Sequence, residues 1–340
     1  MPKIITFGEI MLRLSPHGYQ RLFQNDQMEA AFGSGEANVA VSLCNYGDEA
    51  VFVTKLPSNA IGQAAIDCLR SFGVDVSYIV RGGDRVGIYY LEKGASQRGS
   101  VCLYDRAHSS IQEAISKEFD WDTIMDGADW FHFTGITPAL GNNMLDACLK
   151  ACEAAHRAGA KVSCDINYRS KLWSRDEARD AMTRLCHHVD VYIGNEEDAK
   201  DVFGIIADDS DITMGKLSKD GYKSVAAKLV QQFGFEKVAF TLRSSTSASD
   251  NEWAGILFDG KRCYFSKEYH LHIVDRVGGG DSFAAGLIHG LLTESEPQAA
   301  LEFAVAASAL KHSIEGDFNR VNVCEVRRLA QGDGSGRAQR

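Results

Sequence analysis

Short apolar runs alternate with stretches of helical periodicity along most of this chain. Runs that fit buried strands lie at 3–7, 50–55, 130–134, 161–166, 189–193 and 237–242. Helical spacing of apolar positions lies between them, at 36–46, 61–72, 142–158, 175–186 and 222–233. Because strands that alternate with helices form parallel sheets covered on both faces, the pattern predicts a doubly wound α/β fold. Ligands of such folds bind beyond the carboxyl ends of the strands.

Two segments, 11–32 and 85–104, break this alternation. In the second, Tyr89 and Leu91 would share one face of a strand and Tyr90 the other. We therefore expect the two segments to form a small separate sheet. Since both leave the main domain near its first ligand-facing loops, the sheet is expected to be a lid over the site. The alternative is a pair of surface hairpins.

The length and composition are those of an ordinary globular protein. With 340 residues and 45% hydrophobic content, the chain can bury a sizeable core. The expected division is an α/β core of 1–10, 33–84 and 105–330, a β lid of 11–32 and 85–104, and a flexible tail of 331–340.

The net charge of −10 argues against nucleic acid or an anionic membrane as the main partner. A small anionic substrate would have to be met by a local cluster of Arg or Lys. The chain has no run of about 20 apolar residues, and its N-terminus leads straight into the first strand pattern. A cytoplasmic protein is therefore expected.

The nine cysteines are scattered, and none forms a Cys-x-x-Cys pair. Such a set indicates reduced thiols in the core. Cys148 and Cys152 would share a helix face, and His270 and His272 a strand face, but no further ligands lie beside either pair. We expect no transition metal held by the protein.

A run of three glycines followed by an aspartate is the clearest sign of chemistry in the chain. Gly278, Gly279 and Gly280 lack a Cβ, so their backbone N–H groups can turn toward one point. A helix that begins at Asp281 or Ser282 adds its positive dipole end, which suits a phosphate. The carboxylate of Asp281 is poorly placed to bind that phosphate but well placed to take a proton from an attacking hydroxyl. The run therefore predicts phosphoryl transfer to an alcohol.

Two other glycine-rich motifs do not fit this run. The dinucleotide fingerprint needs a glycine where Phe283 stands. The phosphate-binding P-loop needs Gly-Lys followed by Ser or Thr, and no Gly-Lys pair of the chain continues in that way. The remaining alternative is a tight strand-to-helix turn with Asp281 as a cap.

Five further sets of residues accompany the glycine run, at 8–9, 33–40, 134–140, 165–169 and 172–174. With Gly278 to Asp281 they make the chain resemble the ribokinase (PfkB) family of carbohydrate kinases over nearly its whole length. Segments 134–140 and 165–169 narrow the resemblance to members that act on 2-keto-3-deoxygluconate. The resemblance implies a ribokinase-like α/β core, a β lid that often contributes to a dimer, and Mg-ATP as phosphoryl donor.

The resemblance also implies roles for particular residues. Asp281 takes the position of the catalytic base, and Gly278, Gly279 and Gly280 supply the anion hole. The residues implied for the sugar are Ser34, Asn38, Tyr89, Tyr104, Arg106, Arg169 and Asp317.

Open alternatives accompany several of these sugar roles. Arg106 or Arg169 can hold a sugar carboxylate bidentately, while Asn38 and Asp317 suit hydroxyl groups. Arg169 can instead contact a nucleotide phosphate. The alternative for the two tyrosines is a place in the core of the lid.

On the nucleotide side the resemblance implies Asn167, Asn195, Thr241, Arg243, Ser244, Gly278 and Gly280. Asp198 stands where the family usually has Glu and would act on Mg²⁺ through water. The alternative for Asn195 is a helix cap followed by an acidic first turn.

Three positions depart from the family pattern. Residues 244–247 are Ser-Ser-Thr-Ser where the family usually has a Gly-x-x-Gly turn, and Arg276 replaces a small residue or proline. Arg243 can compensate by reaching the phosphates. Ser34 stands where the family more often has glycine.

The expected function is ATP-dependent phosphorylation of the terminal hydroxyl of 2-keto-3-deoxygluconate, giving 2-keto-3-deoxy-6-phosphogluconate. The expected partners are a small sugar acid, ATP and a second copy of the chain bound through the lid. The alternatives are a kinase of another sugar, such as fructose, and a non-catalytic sugar-binding member of the family.

Overall fold

A computed structural model of the protein describes residues 1–207 and 218–334. The strands are β1 Lys3–Phe7, β2 Met11–Ser15, β3 Glu29–Gly33, β4 Glu49–Val53, β5 Lys55–Leu56, β6 Val80–Arg81, β7 Ile88–Glu92, β8 Val101–Asp105, β9 Trp130–Thr134, β10 Lys161–Asp165, β11 Val191–Gly194, β12 Lys237–Ser245, β13 Asp250–Phe258, β14 Cys263–Phe265 and β15 Tyr269–His272. The α-helices are α1 Gly35–Tyr46, α2 Ala60–Ser71, α3 Trp121–Met125, α4 Asn142–Ala158, α5 Arg175–Cys186, α6 Glu196–Phe203, α7 Lys219–Phe233, α8 Gly279–Thr293, α9 Pro297–Lys311 and α10 Val323–Ala330.

The main sheet has the strand order β14-β13-β12-β11-β10-β9-β1-β4, and β15 also pairs with β13. From β4 to β12 every pairing is parallel, which confirms the predicted doubly wound α/β fold. The pairings of β13 with β12, β14 and β15 are antiparallel, and this extension was not predicted. The predicted strand at 50–55 is divided between β4 in the main sheet and β5, which pairs with β6 instead.

Helices cover both faces of the main sheet, so successive strand residues enter different cores. Ile5 and Phe7 of β1 pack in one hydrophobic cluster, together with α4 and α5. Ile4 packs in the other cluster, with α1, α8 and α9. All five residues of β9 are buried, as expected of a strand covered on both sides. This packing fixes the strand ends, and with them the cleft described below.

The segments 11–32 and 85–104 supply most of a second, four-stranded sheet, with the order β3-β2-β7-β8. We call it the small sheet. Strands β3 and β8 each end one residue beyond the predicted segment boundaries. Tyr89 and Leu91 are buried on one face, and Tyr90 on the other face is only half-buried.

Strand β12 is longer than its pattern indicates. It was expected to end at 242, with a turn at 244–247, but it continues to Ser245 and pairs there with β13. The expectation was wrong because cross-strand pairing, such as Ser244 with Glu252, holds polar residues in an extended conformation. The hairpin turn follows at 246–249.

Helix α10 ends at Ala330. Residues 331–334 form a turn and a short irregular stretch, and the rest of the predicted tail, 335–340, lies outside the described residues. Within the part of the chain that the structure describes, no helix is both long and apolar enough to cross a bilayer.

Candidate active site

A cleft of about 1410 Å³ lies at the carboxyl ends of the central parallel strands and is bordered by the small sheet. It brings together nearly all residues predicted for the site: Ser34, Asn38, Tyr89, Tyr104, Arg106, Asn167, Arg169, Asn195, Asp198, Thr241, Arg243, Gly278, Gly279, Gly280, Asp281 and Asp317. Ser244 does not line the cleft. Alternate residues of a strand face opposite sides, so β12 presents Thr241 and Arg243 together and Ser244 on the other side.

The glycine triplet forms the N-terminal cap and the first two residues of α8. Gly278 has a φ of 82°, in the left-handed region, and a Cβ there would collide with the backbone oxygen of Asp317. A Cβ on Gly279 would collide with the ring of His312, whereas one on Gly280 would have no protein atom within 4 Å. Two of the glycines are therefore needed for packing, and the third faces open space.

Helix α8 begins at Gly279, so the predicted start at Asp281 or Ser282 was wrong. Glycine has a low helix propensity. The helix nevertheless begins at Gly279, because Gly278 caps it and α8 packs against α9. Gly279 N–H donates to the Arg276 oxygen and Ser282 N–H to the Gly278 oxygen. Among the described residues, the N–H groups of Gly280 and Asp281 have no acceptor, and they lie at the positive end of the helix dipole. An anion is the ligand that such an end binds best.

Asp281 lies in the first turn of α8, and its Oδ2 accepts a hydrogen bond of 2.6 Å from Asn38 Nδ2. Burial raises the pKa of Asp281 to about 7, and the nearby charges of Asp317 and Glu36 act in the same direction. The Asn38 bond and the charge of Arg169 oppose that rise. The carboxyl group can therefore both accept and hold a proton near neutral pH.

The side chain of Asn38 is oriented by a hydrogen bond to its amide oxygen. Ser34 N–H donates to Asn38 Oδ1 at 3.2 Å, so the amide nitrogen is turned toward Asp281. Both residues belong to the start of α1, which follows directly on β3 of the small sheet. Asp281 is thereby linked to the segment that joins the small sheet to α1.

Arg106 and Arg169 differ in the hydrogen-bonding groups that they have left for a ligand. Nε and Nη2 of buried Arg106 both donate to Oε2 of buried Glu9. Arg169 is exposed, and its Nη1 donates a hydrogen bond to the Tyr168 backbone oxygen at 3.1 Å. Arg169 is thus the better placed of the two to hold a carboxylate bidentately.

The oxygens of Asp317 are both engaged. Oδ1 accepts from Arg13 Nη1 at 2.8 Å, and Oδ2 accepts from the hydroxyl of Tyr89. Tyr104 lies beside Tyr89, with ring centroids 6.2 Å apart, and its ring is flanked by the guanidinium of Arg106. Tyr89 is therefore part of the buried core of the small sheet, whereas Tyr104 is 42% exposed, and both line the cleft.

The chain turns sharply where β10 ends. Asn167 has a φ of 42°, a left-handed conformation that asparagine tolerates better than most residues. The turn sends the following residues across the cleft, and Lys171 Nζ reaches the Cys102 backbone oxygen of β8 at 3.1 Å.

Asp198 stabilises two loops at the cleft. Its Oδ1 accepts from Tyr168 N–H and its Oδ2 from Asn195 N–H, each at 3.1 Å. Asn195 in turn caps α6 by accepting from Asp198 N–H at 2.8 Å, so the helix-cap interpretation describes this pair. Burial raises the pKa of Asp198 to about 6. Burial also raises the pKa of Asp165, and the charges of Asp198 and Asp281 add to that rise.

Two arginines, Arg243 and Arg276, line the side of the cleft that the sequence predicts for the nucleotide. Arg276 Nη2 donates to the Ala248 backbone oxygen at 2.8 Å, and burial, followed by the charge of Arg243, lowers the pKa of Arg276. Within residues 1–207 and 218–334 neither guanidinium has an ion pair with a carboxylate. Two unpaired like charges beside an open cleft favour an anionic ligand there.

Sequence reasoning assigned no site role to three residues that line the cleft, Asp165, Lys171 and Arg276, or to Arg13, which is buried behind it against Asp317. The sequence does show Arg13 as a charged residue within a short apolar run. The structure places it on the same strand face as buried Met11 and Ser15. The contacts of the other three depend on segments that are distant along the chain.

The chain belongs to the pfkB family of carbohydrate kinases, whose profile matches residues 1–319. It is similar to a 2-dehydro-3-deoxygalactonokinase of Haloferax volcanii, which is 32% identical over 98% of each chain. A crystal structure of a 2-dehydro-3-deoxygluconokinase of Thermotoga maritima is 48% identical, with a TM-score of 0.94 over 97% of this chain and 98% of that one. A candidate ribokinase II of Escherichia coli, solved with ATP and Mg²⁺, shares the fold at 18% identity and a TM-score of 0.80, over 97% of this chain and 99% of that one.

Proposed function

We propose that the protein transfers the γ-phosphoryl group of ATP to the terminal hydroxyl of 2-keto-3-deoxygluconate, which is also called 2-dehydro-3-deoxygluconate. The observation that carries the proposal is the Asp281 carboxylate beside the unpaired N–H groups of Gly280 and Asp281. Asp281 would take the hydroxyl proton as the sugar oxygen bonds to phosphorus and the bond from phosphorus to the ADP oxygen breaks. The products are 2-keto-3-deoxy-6-phosphogluconate and ADP.

Mg²⁺ bound to ATP would neutralise charge on the phosphates. The described residues contain no group of three or more His, Cys, Asp or Glu side chains arranged to hold a metal. Both oxygens of Asp198 already accept from backbone N–H groups. The residues therefore fit a metal ion that is held mainly by the nucleotide, with Asp198 acting through water.

Residues on the nucleotide side would bind and orient ATP. Thr241 and Arg243 share one face of β12, and Asn167 and Asn195 follow β10 and β11 at the same edge of the sheet. We assign phosphate contacts to Arg243 rather than to Ser244, since only the arginine lines the cleft.

The sugar would lie between α1 and the small sheet. Its carboxylate is assigned to Arg169, whose guanidinium has donors available. Its hydroxyl groups are assigned to Ser34 and Asn38 at the start of α1. Tyr89, Tyr104, Arg106 and Asp317 would shape the pocket around it, since their polar groups are largely engaged with one another or with neighbouring residues.

The relatives differ in the sugar that their names give, so the acceptor needs a direct test. ADP release is measured with Mg-ATP and each of 2-keto-3-deoxygluconate, its C4 epimer 2-keto-3-deoxygalactonate, and fructose. The proposal predicts the highest kcat/KM with 2-keto-3-deoxygluconate. A clear preference for fructose would overturn the substrate. Binding of a sugar with no transfer to any acceptor would favour the non-catalytic alternative.

We also propose that the small sheet acts as a lid and joins two copies of the chain. One face of the sheet lines the cleft through Tyr89 and Leu91. The opposite face carries the cross-strand row Leu14, Tyr90 and Leu103, of which Leu103 is 49% exposed and also borders the cleft. An apolar row on a sheet of only four strands fits burial against a second copy. Light scattering should show a dimer that Y90D weakens, since Tyr90 does not line the cleft, whereas a monomeric wild type would contradict this assignment.

A cytoplasmic location is part of the same proposal. All nine cysteines are free thiols, as expected in a reducing compartment. The location also supplies the ATP that the reaction needs. Fractionation of cells that express the tagged chain would test it.

A further inference from the structure

Arg13 is a buried arginine in the middle of strand β2 of the small sheet. Its side chain leaves the sheet and forms two ion pairs with the α/β core. Nη1 lies 2.8 Å from Asp317 Oδ1, and Nη2 lies 2.7 Å from Asp275 Oδ2. All three side chains are almost fully buried. One guanidinium therefore joins the small sheet to two separate segments of the core.

One carboxylate lies in the segment that leads into the glycine turn, and the other lies in the segment that packs against Gly278. Asp275 lies three residues before Gly278, and its Oδ1 accepts from Val277 N–H at 3.1 Å. The backbone oxygen of Asp317 occupies the space that a Cβ on Gly278 would need. Asp275 Oδ2 also accepts from Gly316 N–H at 3.2 Å, which ties the two segments together. The conformation of the turn thus depends on where these carboxylates are held.

A second strand of the small sheet contacts the same cluster. Tyr89 of β7 pairs with Arg13 of β2 in parallel register, and its hydroxyl donates to Asp317 Oδ2. Two neighbouring side chains on the inner face of the sheet therefore hold one carboxylate. The register of two strands fixes their spacing, which makes the contact specific to this position of the sheet.

A second buried cation lies near the cluster. Lys311 is fully buried at the end of α9, and its Nζ donates to the Ile314 backbone oxygen at 2.9 Å. Burial lowers the pKa of Lys311 to about 8, and the negative charges of Asp275 and Asp317 limit that fall. With Arg13 present, two cations face two carboxylates. Removal of Arg13 would leave a buried carboxylate without its partner, which proteins tolerate poorly.

We propose that Arg13 is a positioning residue for phosphoryl transfer: it holds the Gly278–Gly280 turn in its anion-binding conformation while the small sheet lies over the sugar end of the cleft. The inference rests on the proposed kinase function. Arg13 itself touches neither reacting group. It acts through Asp275 and Asp317, and it makes the transfer step depend on the position of the sheet that borders the sugar.

The main test is R13K. Lysine keeps the charge but offers one ammonium group instead of a planar fork, so it cannot hold both carboxylates in the same geometry. We expect kcat to fall roughly 10- to 100-fold because the turn is displaced, while KM for the sugar changes less than about fivefold. Assays are run well below the melting temperature of each variant, which is measured in parallel.

A second variant separates positioning from stability. R13M/D275N removes one charge of each sign, and the new amide oxygen can still accept from Val277 N–H. We expect the melting temperature to recover relative to R13M while kcat stays low. The matched control is R98K, since Arg98 pairs with Glu92 inside the small sheet and does not contact the core. R98K should keep kcat within about twofold of the wild type.

A purely structural role gives a different result. If R13K and R13M/D275N melt earlier but keep the wild-type kcat, Arg13 only stabilises the fold and the proposal is wrong. The wild type is assayed first on the three sugars named above, and the variants are compared on the sugar that it phosphorylates best. A wild type that phosphorylates none of them overturns the kinase function itself, which is a separate outcome from any difference between variants.

Discussion

Asp281 is surrounded by groups that oppose its ionisation, while the hydrogen bond from Asn38 and the charge of Arg169 favour it. Burial raises its pKa to about 7, and a general base must be deprotonated to act. We therefore expect kcat at saturating sugar to rise with pH through about 7 and then to level off. At pH 6 roughly a tenth of the plateau should remain. A rate that is flat from pH 5.5 to 8 would contradict this assignment of the base.

Asn38 sets part of that pH dependence. Its bond to Asp281 favours the charged carboxylate, so N38L should move the midpoint of the kcat profile to higher pH. The measurement is kcat at saturating sugar, since a sugar ligand lost with Asn38 would also raise KM. N45L removes an amide from the same helix, at a residue that bonds the Asn319 backbone oxygen, and should leave the midpoint unchanged.

The base is tested most directly by D281N. The amide oxygen can still accept from Asn38, but it cannot take a proton from the sugar. We expect kcat to fall roughly 100- to 10,000-fold, with the dissociation constant of the sugar, measured by calorimetry, nearly unchanged. D122N changes an exposed carboxylate on α3 and serves as the control. Turnover at the wild-type rate in D281N would exclude Asp281 as the base.

Substitution of Gly278 and substitution of Gly280 should have different effects on stability and on ATP binding. G278A places a Cβ against the Asp317 backbone oxygen at a φ of 82°, so it should lower the free energy of unfolding by at least roughly 1–3 kcal/mol. G280A adds a Cβ that meets no protein atom within 4 Å, so the fold should be unaffected. The same methyl group faces the space proposed for phosphate, and KM for ATP should rise. Denaturant unfolding and initial-rate kinetics distinguish the two effects.

Elements with strong periodicity could be predicted from the sequence with little error. The bounds of β1, β9, α4 and α5 agree with their patterns, because each is flanked by clear breaks and buries a regular set of positions. Strands β13 and β14 were missed, and β15 was anticipated only in the strand face expected for His270 and His272. Two of them are only three or four residues long, and their partners are set by antiparallel pairing rather than by a local pattern.

Contacts between distant segments were not predictable in the same way. The glycine turn and its aspartate could be interpreted locally, whereas the bonds from Arg106 to Glu9 span 97 residues. Those bonds decide which arginine has donors left for a ligand. The partners of Arg13 lie 262 and 304 residues away, so only the folded chain shows them.

Across the whole molecule, the cleft is built from segments between the first strands and residue 317, so ligand binding should stabilise the entire fold. The sugar at about 100 times its dissociation constant should add about 2.7 kcal/mol to the free energy of unfolding, which raises the melting temperature by several degrees. Fructose at the same concentration should cause no comparable shift. Scanning fluorimetry with both sugars checks this, and a larger shift with fructose would contradict the proposed substrate.

The ion pairs between the small sheet and the core also restrict how this protein can be redesigned. Because the sheet borders the acceptor end of the cleft, exchanging it for the sheet of another sugar kinase is an obvious route to a new substrate. In this chain such a graft would leave the buried carboxylates of Asp275 and Asp317 without their partners. The grafted sheet would therefore need an arginine and a tyrosine at the positions of Arg13 and Tyr89. The small sheet therefore cannot be exchanged independently of the core, and a chimera that folds and acts on a new sugar must keep the two side chains that bind these carboxylates.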